Sequence, residues 1–151
     1  MDTEHLHIDK QSPSAYKALI GVSTAVQNTA KESGLSRALV ELINVRVSQL
    51  NGCPSCLEVH NHKALSAGVT EKQLATLSVW RDTELFDDRE RAALRLAEIT
   101  TTLPDHDTAD REYARARTAL TDDELSAVIW VATAINAFNR VSILSRHPVK
   151  P

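Results

Sequence analysis

Two cysteines, a histidine and a glutamate carry the chemistry legible in this chain. Cys53, Cys56 and His60 form the pattern C-x-x-C-x-x-x-H inside the segment NGCPSCLEVHNHKALS, residues 51–66. No other cysteine occurs in the sequence. Glu41 lies twelve positions before Cys53, flanked by Leu39, Val40, Leu42 and Ile43. Two thiols, an imidazole and a carboxylate at these spacings make either a redox site or a metal site.

On a helix, residues three apart share a face, with Cα atoms about 5 Å apart. A disulfide tolerates a Cα separation of ~4.4–6.8 Å, so Cys53 and Cys56 can join and separate with little backbone movement. Cys56 and His60 are one turn apart on the same face. At a helix start, Cys53 gains thiolate stabilisation from unpaired backbone N–H groups and the helix dipole. Cys56 gains it from the imidazole. The two effects favour different sulfurs, and the residues alone leave open which one attacks. A thiolate beside a second thiol attacks a peroxide or a disulfide and is then resolved by its neighbour. A glutamate on an apolar face loses hydration and suits proton transfer near neutral pH. If the helix bearing Glu41 folds back across Asn51–Gly52, the carboxyl group reaches His60 and completes a carboxylate–histidine–thiol relay.

Plainer readings compete with this one. Cys53, Cys56 and His60 are three potential zinc ligands, with His62 or Glu41 as a fourth, although a structural zinc site usually draws on a second ligand pair and the chain has no second pair of cysteines. The cysteines also fit two inert buried thiols, and Glu41 fits a structural ion pair with an arginine. His62 points away from His60 on a helix and reads as surface. His5, His7, His106 and His147 show no evident partner and read as solvated. Trp80, Trp130 and Phe138 read as core or interface aromatics.

The elements that must position these groups are helical. Ser12–Pro13 reads as an N-cap followed by proline at the first helical position, opening a helix that runs to about Glu32 and stops at Gly34. Ser36 caps a second helix to Leu50, closed by Asn51–Gly52. Pro54 places Cys53 at the start of a third, which ends at Gly68. The capping boxes Thr70–Gln73 and Thr121–Glu124 open a fourth helix and the last one, the latter running to about Arg146. A fifth begins at Asp87 and stops before Pro104, and a sixth begins at Asp107 or Thr108. Residues 1–11 read as a loose arm. Ile43, Val45 and Val47 alternate with polar residues, a strand signal. No second stretch alternates to pair with it, so the segment reads as helix.

At 151 residues the chain fits one domain, 1–151, long enough for a core that needs no disulfide. Four glycines and six aromatics, two each of Trp, Tyr and Phe, favour helices over sheet. The expected fold is therefore all-α, a single-domain bundle of about six to seven helices. Seventeen Lys and Arg are interspersed with twenty Asp and Glu, for a formal net charge of −3. Nothing in that distribution suggests a nucleic-acid partner. The segment MDTEHLHIDK lacks a secretory pattern. The apolar run from Ala127 to Phe138 falls short of the roughly 20 residues a membrane span needs. A cytoplasmic location without membrane attachment is expected, where a C-x-x-C is catalytic or metal-binding rather than structural.

Glu41, eleven intervening residues, Cys53-Pro-Ser-Cys56 and His60 resemble the E-x11-C-x-x-C-x-x-x-H signature of alkylhydroperoxidase D-like (AhpD-like) proteins. These belong to the carboxymuconolactone decarboxylase superfamily. The resemblance is strongest over residues 37–81 and extends to Asn136-Ala-Phe-Asn139-Arg140, similar to the final helix of the peroxidase-related branch. It implies an AhpD-like helical bundle that forms a homo-oligomer, a trimer or hexamer. It implies a cofactor-free thiol peroxidase with an antioxidant role, which reduces a hydroperoxide and forms an intramolecular disulfide. It assigns Cys56 as the attacking sulfur, Cys53 as the resolving one, and His60 with Glu41 as the proton relay. It implies a lipoyl or thioredoxin-like dithiol protein as electron donor. Ser55 departs from the pattern, because some members carry a second histidine there; the departure bears on turnover rate and donor identity. Two alternatives stand beside this reading. One is a decarboxylase-like enzyme acting on a small lactone or carboxylate, although that branch generally lacks the cysteine pair. The other is a non-catalytic helical module that senses redox state or binds zinc.

Overall fold

A helix buried on nearly every side sets the plan of the molecule. The computed structural model describes residues 3–151. Helix α3, Arg37–Asn51, is buried at Leu39, Glu41, Leu42, Ile43, Val45, Val47 and Ser48. Those positions circle the helix rather than line one stripe, as expected of a helix enclosed by neighbours. The alternating Ile43, Val45 and Val47 thus serve two cores: Ile43 and Val47 pack with one cluster, Val45 with another. This all-round burial is the physical origin of the strand-like pattern in a segment that is helical.

Around α3 lie α4 (Pro54–Ser66), α6 (Asp88–Thr102) and α8 (Asp122–Leu144). Helix α2 (Pro13–Glu32) packs on α8, and α7 (His106–Arg117) on α6. Between α4 and α6 the chain forms α5 (Glu71–Thr76) and a 3₁₀ segment, Leu77–Asp82. The larger core joins Val26, Leu39, Ile43, Leu96, Val128 and Ile135; the smaller joins Leu42, Val45, Ala64, Leu77, Trp80 and Leu94. The result is a single all-α domain, as the sequence predicts.

The helix starts follow from short polar side chains. Ser36 Oγ accepts from Leu39 N–H at 3.1 Å. Thr70, Asp87 and Thr121 each form reciprocal capping boxes, with Gln73, Glu90 and Glu124. Each such cap is worth about 1 kcal/mol. The sixth predicted helix begins earlier than expected, at His106, because Asp105 is its cap and accepts from Thr108 N–H at 2.9 Å. Ser12 makes no side-chain cap for α2. Pro13 supplies the preset backbone there instead.

The arm expected at 1–11 is tied down over its described residues. Ile8–Gln11 form a helical turn, α1. His5 Nδ1 lies 2.6 Å from the Leu144 carbonyl oxygen, and Ile8 N–H donates to Ser145 Oγ at 3.1 Å. His147 Nε2 lies 3.0 Å from Asp9 Oδ1, and its ring meets His7 edge-on. Three of the histidines read as solvated are thus engaged in a clasp between the two ends of the chain, a long-range contact that local spacing does not encode. Helix α8 is also longer than its central apolar run. At 23 residues it has the length and hydropathy to span a bilayer. In this fold it packs against α2, α3 and α6, and Asp122, Asp123 and Glu124 make its first turn acidic.

A charged lattice closes the lower core. Trp80 is 1% exposed, and its Nε1–H donates to Glu98 Oε1 at 2.7 Å. Arg46 donates to the same oxygen at 3.0 Å, and the Arg81 guanidinium lies 4.4 Å from the indole centroid. Glu112 is buried between Arg95, at 2.6 Å, and Arg81, at 3.3 Å. By contrast Trp130, expected in core or interface, is half exposed within this chain. Replacing Trp80 by Ala is expected to lower the unfolding free energy by about 3–5 kcal/mol, measured by urea titration. Burial pushes the Glu112 carboxyl up, but the Arg95 hydrogen bond and the Arg95 and Arg81 charges more than offset this, leaving it below its ordinary value. Its stabilising effect is therefore present above the ordinary carboxyl range and is lost as pH falls through the folded value. Glu112→Gln is expected to be less stable than the native chain at pH 7, with the gap closing on acidification when urea midpoints are compared.

Candidate active site

The site sits where α3 turns into α4. Asn51 ends α3, and Gly52, at φ 67°, reverses the chain. That left-handed conformation suits glycine. Cys53 follows as the N-cap of α4, with Pro54 at the first helical position. The Cys53 N–H donates back to the Ser48 carbonyl at 3.1 Å, so the turn is closed by its own backbone. Cys56 then falls one turn into α4, and His60 one turn beyond it.

The two cysteines are joined as a disulfide, with Cα atoms 5.3 Å apart. That spacing lies within the range a disulfide tolerates. Cys53 is 0% exposed and Cys56 is 7% exposed, so any approach from solvent meets Cys56. Both cysteines are therefore buried, and the little exposure the pair has belongs to Cys56.

Helix α3 folds back along α4, and Glu41 Oε2 lies 2.7 Å from His60 Nδ1. Both side chains are largely shielded from water. The partner of the buried glutamate is thus an imidazole and not an arginine. When Nδ1–H donates to this carboxylate, the lone pair resides on Nε2, the tautomer needed to accept a proton from another group. A carboxylate oriented in this way also stabilises the imidazolium formed after the transfer. His62 is exposed, as its helical spacing predicts. Among the described residues, no three His, Cys, Asp or Glu side chains gather where a metal ion would be held.

A second set of side chains near the turn is built on amides and hydroxyls, with the exposed Arg140 donating to Asn136 Oδ1 at 3.0 Å. Asn51 Nδ2–H donates to Asn136 Oδ1 at 2.8 Å and to Asn139 Oδ1 at 3.0 Å. Asn139 Nδ2–H donates to Ser48 Oγ at 3.1 Å. Asn136 donates onward to Thr101 Oγ1 at 3.0 Å. By spacing alone Ser48 has no role, Asn51 marks only a helix stop, and Asn136 and Asn139 enter only through the resemblance. The available signal was two asparagines one turn apart in the apolar helix α8, a placement that costs free energy unless the amides are satisfied.

Comparison with known proteins adds to this geometry. Residues 13–98 match the model of the carboxymuconolactone decarboxylase family. The uncharacterized protein YdfG of Bacillus subtilis is 33% identical over 118 residues, which cover 78% of this chain and 80% of that protein. The uncharacterized protein YnjA of Escherichia coli is 32% identical over 114 residues, covering 72% of this chain and 61% of that protein. A solved structure from Agrobacterium tumefaciens, of unknown function and provisionally described as the antioxidant defence protein AhpD, superposes with a TM-score of 0.88. It is 28% identical, and the match covers 99% of both chains. The debrominase Bmp8 superposes with a TM-score of 0.79 at 15% identity, covering 93% of this chain and 74% of its own, and shares the fold.

The unequal burial of the sulfurs yields a test of the site. When the reduced native protein meets limiting iodoacetamide, the label is expected on Cys56 well before Cys53, read by peptide mass. Equal labelling would contradict this geometry.

Proposed function

The chain belongs to the carboxymuconolactone decarboxylase family, and from that membership and its paired sulfurs we propose that it is a thiol-dependent hydroperoxide reductase. The observation that carries the reading is the Glu41–His60 contact of 2.7 Å on the helix that bears a Cys53–Cys56 disulfide. A relay and a closable sulfur pair on one face are what peroxide reduction by a dithiol requires.

In this reading His60 Nε2 takes the proton of Cys56, and Glu41 steadies the imidazolium. The Cys56 thiolate attacks the terminal oxygen of a hydroperoxide. The O–O bond breaks, the sulfur is oxidised to a sulfenic acid, and the leaving alkoxide takes a proton from His60 to become an alcohol. The Cys53 thiol then attacks the sulfenic sulfur, forming the disulfide and releasing water. A dithiol donor, lipoyl or thioredoxin-like, returns the two electrons by exchange. The exposure of Cys56 over Cys53 supports the assignment of Cys56 as the attacking sulfur. The setting proposed for this chemistry is the cytoplasm, in a homo-oligomer of three or six chains, as the family resemblance suggests.

The test is peroxide consumption by the reduced protein, with two free thiols lost for each hydroperoxide consumed in a single turnover. Cys56→Ser is expected to abolish turnover. His60→Ala is expected to lower it about 100-fold, the scale of general acid–base catalysis. Undiminished turnover in Cys56→Ser refutes the assignment. Activity toward a small lactone that survives alkylation of both cysteines would instead place the chain with decarboxylating members of its family.

A further inference from the structure

The asparagines of α8 have no part in the relay, yet they are built into the floor of the site. Asn139 and Ser48 are both 0% exposed. A buried amide in an apolar helix is costly unless every polar atom is paired, and among the described residues no buried side-chain nitrogen or oxygen lacks a partner. An apolar side chain would fill the same space with less desolvation, so the arrangement calls for an explanation beyond packing.

Its geometry supplies one. Ser48 is held twice. Its hydroxyl accepts from Asn139 at 3.1 Å, and its carbonyl accepts from the Cys53 N–H at 3.1 Å. Asn51 is held by the same helix through two amide oxygens, at 2.8 and 3.0 Å. Helix α8 thus grips both ends of the stretch from Ser48 to Asn51, immediately before the Gly52 reversal that delivers Cys53. We propose that Asn139 and Asn51 are positioning residues of the dithiol: their amide clamp holds Cys53 in its disulfide-ready place when the sulfurs are apart, and so sets how readily the bond closes.

The thermodynamic argument is one of preorganisation. The disulfide needs the Cys53 Cα about where it lies, 5.3 Å from that of Cys56. The separated thiols impose no such requirement. Without the clamp, the turn gains conformational freedom in the dithiol form, and closing the bond must remove it again. The clamp touches neither sulfur, so it acts by restricting the backbone that carries Cys53.

The inference rests on the dithiol of the proposed function but not on peroxide as its substrate, and the experiment uses none. Native protein, Asn51→Ala and Asn139→Ala are equilibrated in glutathione buffers of graded composition. Oxidised glutathione accepts the two electrons and two protons given up when the protein bond forms. The dithiol and disulfide fractions are read by acid quench, alkylation and mass. Each variant is expected to shift the equilibrium constant toward the dithiol by about tenfold, the scale of one lost hydrogen bond with a charged or buried partner. The double variant is expected to shift little further, since the two residues share one network. Glu112→Gln, destabilised away from the site, is expected to keep the native equilibrium constant. Asn51 is only half buried, so its variant is expected to fold, and it decides the matter if Asn139→Ala does not. An equilibrium constant within twofold of native in folded Asn51→Ala overturns the proposal, as does an equal shift in Glu112→Gln. Failure of peroxide turnover with these shifts intact would refute the peroxidase reading and leave the clamp standing.

Discussion

A carboxylate inside an apolar bundle must find a partner, and that requirement organises this molecule. Glu41 sits on the most enclosed helix, where water does not satisfy it. The partner it takes is an imidazole from the next helix, so α3 and α4 are held in one register about the turn between them. Cys56 lies one turn from that imidazole because both are on α4, and Cys53 lies at the mouth of the helix because Gly52 and Pro54 start it there. The arrangement of sulfurs, imidazole and carboxylate thus joins one buried acid's need for a partner to the local start of α4.

The polar groups below the site obey the same rule on a larger scale. Where α8 crosses the end of α3, Asn139 answers Ser48 and Asn136 answers Asn51. Where α6 crosses the 3₁₀ segment, Glu98 answers the indole of Trp80 and the guanidinium of Arg46. Each network runs from a buried side chain out to an arginine at the surface, Arg140 in the first and Arg81 in the second. The molecule therefore has two apolar cores stitched by polar seams, and the turn that carries the disulfide lies at one end of a seam.

Most of the architecture was legible because it is locally encoded. Serine, threonine and aspartate caps, glycine stops and prolines at helix starts mark elements within a few residues. The spacing of Cys53, Cys56 and His60 likewise encodes a shared face. Glu41 was legible as an outlier, since its neighbours are apolar, but its partner depended on how two helices fold back. The strand-like alternation at Ile43, Val45 and Val47 misleads in isolation because a fully enclosed helix loses its polar stripe. The engaged state of His5, His7 and His147 was invisible for a different reason: their contacts join residues about 140 positions apart, and no local pattern carries that distance. Ser48, a small polar residue in an ordinary helical sequence, gave no sign that its two oxygen atoms would link the backbone of Cys53 to a helix near the far end of the chain.

That clasp between residues near 5–9 and residues near 144–147 has a consequence for how the chain can be re-engineered. Where the head and tail of a polypeptide lie side by side, a short peptide bridge between them closes a ring, and the ring can be reopened at an exposed loop elsewhere. The bend between α6 and α7, where Leu103 is exposed at a positive φ, offers such a cut. A chain rewired there would begin with α7 and finish with α6, with every residue that surrounds the disulfide still in one unbroken stretch or docked against it.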